Sequence, residues 1–322
     1  MSANTLRRSL PALLAAAIAF GAISHAQAET LRIGYQKSAT TLGLLRSGGT
    51  LEKRLAEQGV EVTWTEFPGG PQLLEGLNVG SVDFGLTGET PPVFAQAAGA
   101  DLLYVAYEPA SPTAEAILVA KDSGIKTVAD LKGKRVALNK GSNVHYLLVR
   151  ALEEAGLTLK DIEPVYLPPA DARAAFERGA VAAWVIWDPF QAAAEQQLQA
   201  HTLRDGEGLV HNYQFYLSTR PFAQKNPAVI EAVIEEIRHV GDKIKADYAA
   251  ATAQVAPVLG LSQEITRIAV ERQNYGAQPI SDKVVADQQQ IADTFSDLKL
   301  IPKRLSIADV VWQQPAKLAK AQ

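Results

Sequence analysis

The sequence predicts an α/β protein built as two lobes with a ligand cleft between them. Three observations favour this fold class. Strand and helix patterns alternate with short connections from residue 29, the alternation restarts near residue 114, and the chain beyond residue 220 has an almost entirely helical pattern. Alternation of this kind builds open sheets, and the ligands of such sheets bind where strands end and helices begin.

We expect the chain to cross between the lobes twice, near residues 113–115 and 219–222. The first part of lobe 1 is then residues 29–113, lobe 2 is residues 114–220, and residues 221–322 are a mostly helical return to lobe 1. A cleft between two lobes is the natural place for a small ligand.

Lobe 1 begins with alternating or β-branched segments separated by helices. The predicted strands are residues 30–36, 60–67, 81–88 and 101–108. The segment 51–59 is amphipathic and ends in glycine, which predicts a helix. A second helix is expected after Gly69 and Gly70, because Pro71 suits a first helical turn.

Lobe 2 repeats this alternation. Its predicted strands are residues 114–121, 135–138, 162–168, 180–189 and 213–220. Helices are expected from about Ser142 and over residues 169–179, where Asp171 lies near the helix start. We find no short-period repeat and no low-complexity segment in the sequence.

The first 28 residues predict an export signal. Arg7 and Arg8 precede the apolar stretch "LPALLAAAIAFGAI", and "AQA" at residues 26–28 has the small residues of a cleavage site. The apolar stretch is short for a transmembrane helix. The mature protein is therefore expected to begin at Glu29 in the periplasm. The arginine pair leaves both the Sec and the twin-arginine route open.

Composition excludes several classes of function. The net charge of the whole chain is −4, and it becomes −6 without the two arginines of the signal, which argues against nucleic acid as a partner. Cysteine is absent, so disulfides, cysteine nucleophiles and lipid attachment through cysteine are excluded.

We expect no metal, no cofactor and no enzymatic activity. The five histidines lack the close spacing of metal ligands. Ser142 and His145 are three residues apart, but the Gly-x-Ser-x-Gly pattern of a nucleophile elbow does not surround them. Capping and packing explain this pair more simply than nucleophile and base.

Two strand-to-helix corners are the main candidates for a binding site. The first is "TGET" at residues 87–90 and the second is "KGSNVH" at residues 140–145. Each has a glycine that admits a close ligand, followed by small polar residues at a helix start, where free amides bind anions. The candidate ligand-binding residues at the two corners are Thr87, Gly88, Glu89, Thr90, Gly141, Ser142 and Asn143.

Simple helix capping by Thr90 and Ser142 is the alternative at each corner. A corner in each lobe favours a shared oxyanion site, and neither corner has the Walker pattern of a phosphate loop. Pro91 and Pro92 lack amide hydrogens, which leaves residues 88–90 as the donors of the first corner. The Glu89 side chain must then turn away from an anion or contact a cationic part of the ligand.

Three further residues complete the candidate site. Trp184 and Trp187 are expected on opposite faces of one strand, with one in the core and the other, Trp187, in the cleft. Asp188 is a candidate polar contact or lobe-to-lobe latch, although core packing of both tryptophans and a turn-capping Asp188 fit equally well. Gln36 follows the first strand and could donate its amide to an oxyanion, or lie on the surface.

Several segments resemble the periplasmic aliphatic-sulfonate-binding proteins of ABC importers. The segments are "LRIGYQK", "FPGGPQLLEGLNVGSVDFGLTGETPPVFAQAAGADLLYV", "IKTVADLKGKRVALNKGSNVHYLLVRALEEAGL", "PADARAAFERG", "AWVIWDPF" and "LIPKRLSIADVVWQ". They span nearly the whole mature chain in order. "LTGETPP" and "WDP" are typical of the sulfonate, taurine and nitrate group.

The resemblance implies a type II periplasmic binding fold that closes around one ligand and delivers it to a membrane permease and its ATPase. It also implies that the sulfonate oxygens meet Gln36, Gly88, Glu89 and the corner at residues 142–143. Trp187 and Asp188 would line the opposite side. We further expect a monomer.

Other functions remain open on the sequence alone. Taurine, a sulfate ester or nitrate are alternative ligands within the same group. An enzyme on the same scaffold is a different class, but a desulfinase of similar fold uses a cysteine that this chain lacks. The effector half of a transcription regulator is disfavoured, because an export signal stands where a helix-turn-helix would be.

Overall fold

The computed structural model describes residues 29–314. The predicted signal at residues 1–28 and its cleavage site lie outside the described residues. Within residues 29–314, no helix is long and apolar enough to cross a membrane.

The described chain contains ten strands and twelve α-helices. The strands are β1 Glu29–Tyr35, β2 Val60–Glu66, β3 Phe84–Gly88, β4 Leu102–Glu108, β5 Glu115–Val119, β6 Arg135–Leu138, β7 Glu163–Tyr166, β8 Ala183–Trp187, β9 His201–Asp205 and β10 Gln214–Thr219. The helices are α1 Thr40–Gly48, α2 Thr50–Ala56, α3 Gly70–Asn78, α4 Pro91–Ala97, α5 Asn143–Glu154, α6 Pro169–Glu177, α7 Phe190–Gln197, α8 Arg220–Lys225, α9 Pro227–Ala246, α10 Tyr248–Leu259, α11 Gln263–Arg272 and α12 Asp282–Asp297.

The strands form two separate five-stranded mixed sheets, one in each lobe. The sheet of lobe 1 has the order β2-β1-β3-β10-β4, and the sheet of lobe 2 has the order β7-β6-β8-β5-β9. In each sheet three neighbouring strands are parallel. The fourth strand, β10 in lobe 1 and β5 in lobe 2, runs antiparallel to its neighbours. The two-lobed α/β architecture predicted from the sequence is confirmed.

The return crossing lies earlier than the predicted residues 219–222. β10 pairs with β3 and β4 of lobe 1, whereas β9 pairs with β5 of lobe 2. The chain therefore crosses back between Asp205 and Gln214, and residues 214–220 belong to lobe 1. The outgoing crossing lies between β4 and β5, where the sequence placed it.

The glycines of β1 and β3 allow α3 to pack close to the lobe 1 sheet. A Cβ on Gly34 would lie 3.0 Å from Leu73 Cγ, and a Cβ on Gly85 would lie 2.7 Å from Leu73 Cδ2. The fully buried Leu73 therefore fills space that larger residues at these strand positions would occupy.

The C-terminal helices contact both lobes. Phe295 of α12 packs against Phe94 of α4, with ring centroids 4.8 Å apart, and against Tyr146 of α5 at 6.0 Å. α11 packs on α7 of lobe 2 through Ile265 and Ala269. The helical return thus supports the cleft from behind in both lobes.

Candidate functional site

A cavity of about 480 Å³, including its mouth, lies between the two lobes. It is bounded by the ends of β1, β3 and β8, by the start of α5, and by both crossings. The residues that line it are Gln36, Ser38, Gly70, Gly88, Pro91, Ser111, Ala114, Ser142, Asn143, Trp187, Asp188, Asn212, Gln214 and Gln273. Strand ends and helix starts from both lobes therefore meet at one place, as expected for open sheets.

Six of the ten predicted site residues line this cavity. They are Gln36, Gly88, Ser142, Asn143, Trp187 and Asp188. Thr87, Glu89, Thr90 and Gly141 are outside the lining and stand behind it. Their direct contact with a ligand stays a prediction.

The lining is almost free of charge. Among the lining residues within 29–314, no lysine or arginine is present, and Asp188 is the one ionisable side chain. Five side-chain amides and three serine hydroxyls supply the polar groups. Amides and hydroxyls can bind an anion through hydrogen bonds without a buried counter-cation.

The Gly88 amide is placed as a donor at the end of β3. Gln36 Nε2 donates to Leu86 O at 3.0 Å, so the backbone groups of Leu86 point toward β1. Residues two apart in a strand direct their backbone groups to the same side, so the Gly88 amide also points there. Because β1 ends at Tyr35, this amide lies beyond the last strand pairing and beside Gln36.

The Thr90 amide is already occupied in this structure. It donates to Asn143 Oδ1 at 3.2 Å, which is a contact between lobe 1 and lobe 2. α4 has seven residues and begins with Pro91, so it presents few free amides of its own. The first corner therefore offers a donor at Gly88 rather than a row of helix amides.

The second corner is fixed by bonds within lobe 2. The Gly141 amide donates to His145 Nδ1 at 3.2 Å, and Ser142 Oγ donates to Asn139 O at 2.7 Å. Burial lowers the pKa of His145 to about 4, so the ring is neutral and Nδ1 remains an acceptor. His145 thus holds the loop that leads into α5.

Capping does not account for the polar residues at the corners. Within the described chain, neither Thr90 nor Ser142 accepts a capping hydrogen bond through its side chain. The Thr90 hydroxyl is fully buried and has no partner among the described residues. The capping alternative is therefore not what the structure shows.

Trp184 and Trp187 lie on opposite faces of β8, as the alternation predicted. Trp184 is fully buried and packs on Phe176 at 6.0 Å between ring centroids. Trp187 is partly exposed and lines the cavity. One tryptophan belongs to the core of lobe 2 and the other forms an apolar wall of the cleft.

Asp188 is fully buried at the edge of the cavity. Its Oδ1 accepts from the Ala192 amide at 3.0 Å, which caps the start of α7, and its Oδ2 lies 3.5 Å from Arg272 Nη1. Arg272 also pairs with Glu195 at 2.7 Å. Burial raises the pKa of Asp188 to about 6 against the lowering effect of Arg272.

The Glu89 carboxyl turns away from the cavity and toward the return crossing. Its Oε2 accepts from the Tyr213 amide at 2.9 Å, and Oε1 has no partner among the described residues. Burial raises the pKa of Glu89 to about 7, although the backbone amides of Tyr213 and Asn212 oppose this rise. Glu89 therefore ties the first corner to the chain segment that enters β10.

Sequence reasoning missed several cavity residues on the crossings and loops. They are Ser38, Ser111, Asn212, Gln214 and Gln273. Asn212 has a left-handed backbone with φ of 53°, a conformation in which asparagine is enriched. An asparagine just before a strand was the available signal, but it is a weak one.

The described residues contain no group of three or more His, Cys, Asp or Glu side chains that could hold a metal ion. The lining supplies five side-chain amides and three serine hydroxyls, whose N–H and O–H groups can donate hydrogen bonds to the oxygens of an anion.

The fold and the cleft define a two-lobed ligand-binding protein of the periplasmic type. Residues 55–246 match the family model "NMT1/THI5 like". A relative from Escherichia coli (strain K12), provisionally named an aliphatic sulfonates-binding protein, is 46% identical over 320 residues, which are 99% of each chain.

Two solved structures are similar over most of the chain. The alkanesulfonate-binding protein SsuA from Xanthomonas axonopodis pv. citri, bound to MOPS, has a TM-score of 0.86 and 45% identity, and covers 89% of this chain and 99% of its own. The periplasmic aliphatic sulphonate binding protein SsuA from Escherichia coli has a TM-score of 0.81 and 47% identity. The match covers 89% of this chain and 93% of the Escherichia coli chain. The chain belongs to the aliphatic sulfonate-binding proteins of the NMT1/THI5-like family.

Proposed function

We propose that this protein captures an aliphatic sulfonate in the periplasm and delivers it to the permease and ATPase of an ABC importer. The observation that carries the proposal is the cavity between the lobes, in which Asp188 is the one ionisable side chain among the described lining residues. Strand ends and a helix start from both lobes direct amides and hydroxyls into it, and no lysine or arginine lines it within the described chain.

A sulfonate suits such a cavity for a chemical reason. A sulfonate stays ionised over the whole physiological pH range, and its three oxygens only accept hydrogen bonds. Hydrogen bonds from amides to a charged acceptor are short and strong, and they avoid the desolvation of a buried cation. A carboxylate could become protonated in the same place, but a sulfonate stays charged and keeps all its acceptors.

The proposed headgroup contacts are the Gly88 amide, the Gln36 side chain and the corner at residues 142–143. Trp187 forms the wall against which an alkyl tail packs. Thr87, Glu89, Thr90 and Gly141 support these groups from behind. Closure of the lobes on the ligand shifts the population toward the state in which both corners contact one molecule.

The relatives support the ligand class. MOPS, which is bound to the Xanthomonas protein, is a propanesulfonate with a bulky polar ring on its tail. The taurine-binding periplasmic protein of Escherichia coli is 30% identical over 68% of this chain, and taurine is also a sulfonate. Headgroup recognition is therefore proposed to be shared, with the tail varying between relatives.

We also propose the finer features of the mature protein. It begins at Glu29 after cleavage at Ala28, and it acts as a monomer. The relatives named as periplasmic support export, and the family's binding proteins support a partnership with an importer.

Calorimetry on the chain from Glu29 tests the proposed function. Unfolding and refolding would first remove ligand retained from expression, and a Tris buffer avoids sulfonate buffers such as MOPS. We expect butane-1-sulfonate and MOPS to bind, and sulfate and butyrate to bind at least tenfold more weakly. Binding of sulfate or of thiamine precursors in preference to every sulfonate would overturn the proposal.

A further inference from the structure

The side chain of Asn143 connects three parts of the molecule. Asn143 is the first residue of α5 in lobe 2 and is almost completely buried. Its Oδ1 accepts from the Thr90 amide of lobe 1, and its Nδ2 donates to Asn212 Oδ1 on the return crossing. One carboxamide thus uses both its acceptor and its donor to join the lobes.

Asn212 extends this connection to the other crossing. Its Nδ2 donates to Ser111 O at 2.9 Å, and Gln214 Nε2 donates to its Oδ1 at 3.2 Å. A continuous set of hydrogen bonds therefore runs from Thr90 through Asn143 and Asn212 to Ser111. It includes one corner from each lobe and both segments that connect them.

Gly88 leaves the space that the Asn143 carboxamide occupies. A Cβ on Gly88 would lie 2.1 Å from Asn143 Oδ1, 2.2 Å from Nδ2 and 2.3 Å from Cγ. The φ angle of Gly88 is outside the left-handed region, so an alanine fits the backbone there. An alanine would nevertheless push the carboxamide aside and break its bonds to Thr90 and Asn212.

We propose that Asn143 is a latch, a side chain that holds the two lobes together around the ligand. Position 88 is then a glycine because any larger residue would occupy the space of the Asn143 carboxamide. That this ligand is a sulfonate rests on the proposed function. Bonds that exist only when the lobes are together stabilise the closed state, and the apparent affinity rises with the population of that state. Asn143 therefore acts as a positioning residue, and the Gly88 backbone remains free to contact the headgroup.

A double-mutant cycle on Gly88 and Asn143 tests the latch by calorimetry with butane-1-sulfonate. Asn143→Ala should weaken binding about tenfold, which corresponds to about 1.4 kcal/mol. Gly88→Ala should weaken it about 100-fold, because its methyl group also keeps the lobes apart. In the double variant the obstructing carboxamide is gone, so its affinity should return to within about threefold of Asn143→Ala.

Independent roles predict a different result. If the two residues acted on the ligand independently, Gly88→Ala would lower the affinity by the same factor whether or not Asn143 was replaced. The losses of the two single variants would then multiply in the double variant. Multiplicative losses would therefore overturn the proposal. Gly43→Ala, whose Cβ meets nothing within 4 Å, and Asn78→Ala on the exposed face of α3 are matched controls that should leave binding unchanged.

Hydrogen exchange at the Thr90 amide tests the latch directly. Pro91 and Pro92 have no amide hydrogen, so a peptide spanning this corner reports few other amides. Asn143→Ala should speed exchange at Thr90 at least tenfold in the presence of butane-1-sulfonate, and unchanged exchange would overturn the latch. If butane-1-sulfonate fails to bind the unmodified protein, the proposed function fails, and the same comparison of exchange without ligand decides on the latch.

Discussion

Glu89→Gln should remove a large part of the pH dependence of stability. Burial raises the pKa of Glu89 from an ordinary 4.5 to about 7. The folded protein therefore binds a proton at Glu89 between these pH values that the unfolded chain has lost. Since stability falls with rising pH wherever the folded state binds more protons, this contribution is complete below pH 4.5 and is lost by about pH 7.

The size of the effect follows from the difference between the two pKa values. A rise from 4.5 to about 7 corresponds to about 3 kcal/mol, at roughly 1.4 kcal/mol for each pH unit. Burial also raises the pKa of Glu108 to about 7 and that of Asp188 to about 6, and raises the pKa of Glu115 well above its usual range. The contributions of these groups to the free energy of unfolding fall over an overlapping pH range. Glu89→Gln should therefore flatten the pH profile of stability without abolishing its slope.

Urea unfolding followed by circular dichroism at pH values from 5 to 8 measures this effect. Glutamine keeps an oxygen that can accept from the Tyr213 amide, and any cost of burying its NH₂ group is independent of pH. The fall in unfolding free energy between pH 5 and 8 should be about 2.5 kcal/mol smaller in Glu89→Gln than in the unmodified protein, because a small part of the full effect lies below pH 5. The exposed Glu75→Gln should leave the profile unchanged. Parallel profiles for Glu89→Gln and the unmodified protein would refute the reasoning.

Three further predictions concern the cleft and a neighbouring helix. Sulfonate affinity should fall as pH rises from 6 to 8, because Glu89 and Asp188 become charged near the anion, and calorimetry should find a shallower fall in Asp188→Asn; a flat profile in the unmodified protein would contradict this. Trp187→Phe should remove most of the ligand-induced change in tryptophan fluorescence, since Trp187 lines the cavity, and an unaltered change would point to another tryptophan. Gly43→Ala, inside α1 with open space around it, should raise the unfolding free energy by about 0.5–1 kcal/mol in urea, and a loss of stability would be the contrary result.

Local patterns were sufficient to locate the strands. Each of the nine predicted strands is present, with its ends within three residues of the predicted ones. β9, His201–Asp205, was missed because "HTLRD" is polar and does not alternate, and it lies at the sheet edge where burial is low. Strand patterns record local burial, and an edge strand has little of it.

The destination of β10 could not be predicted from its own residues. Phe215, Tyr216 and Leu217 are buried, as an apolar strand in either sheet would be. The choice of lobe 1 depends on its pairing with β3 and β4, more than 100 residues earlier in the chain. Tertiary pairing of this kind leaves no mark in a single strand, so the second crossing was placed too late.

The candidate site was partly predictable for a similar reason. Glycine and small polar residues at strand ends identified both corners, and the alternation along β8 placed Trp187 in the cleft. The side-chain bonds that occupy these corners were not predictable. These hydrogen bonds depend on how segments meet in the folded chain, and they join Thr90 to Asn143, Tyr213 to Glu89 and Gly141 to His145. Some residues that were expected to contact a ligand therefore hold the cavity wall in place instead.

The position of β10 inside the lobe 1 sheet has a consequence for the order of folding. β3 and β4 are both made before lobe 2, yet the strand between them is the last of the ten to leave the ribosome or the export channel. Lobe 2, from β5 to β9, is one uninterrupted segment and can assemble as soon as it emerges. The lobe 1 sheet cannot be completed until β10 inserts between β3 and β4. Lobe 1 therefore begins first along the chain but completes its sheet after lobe 2.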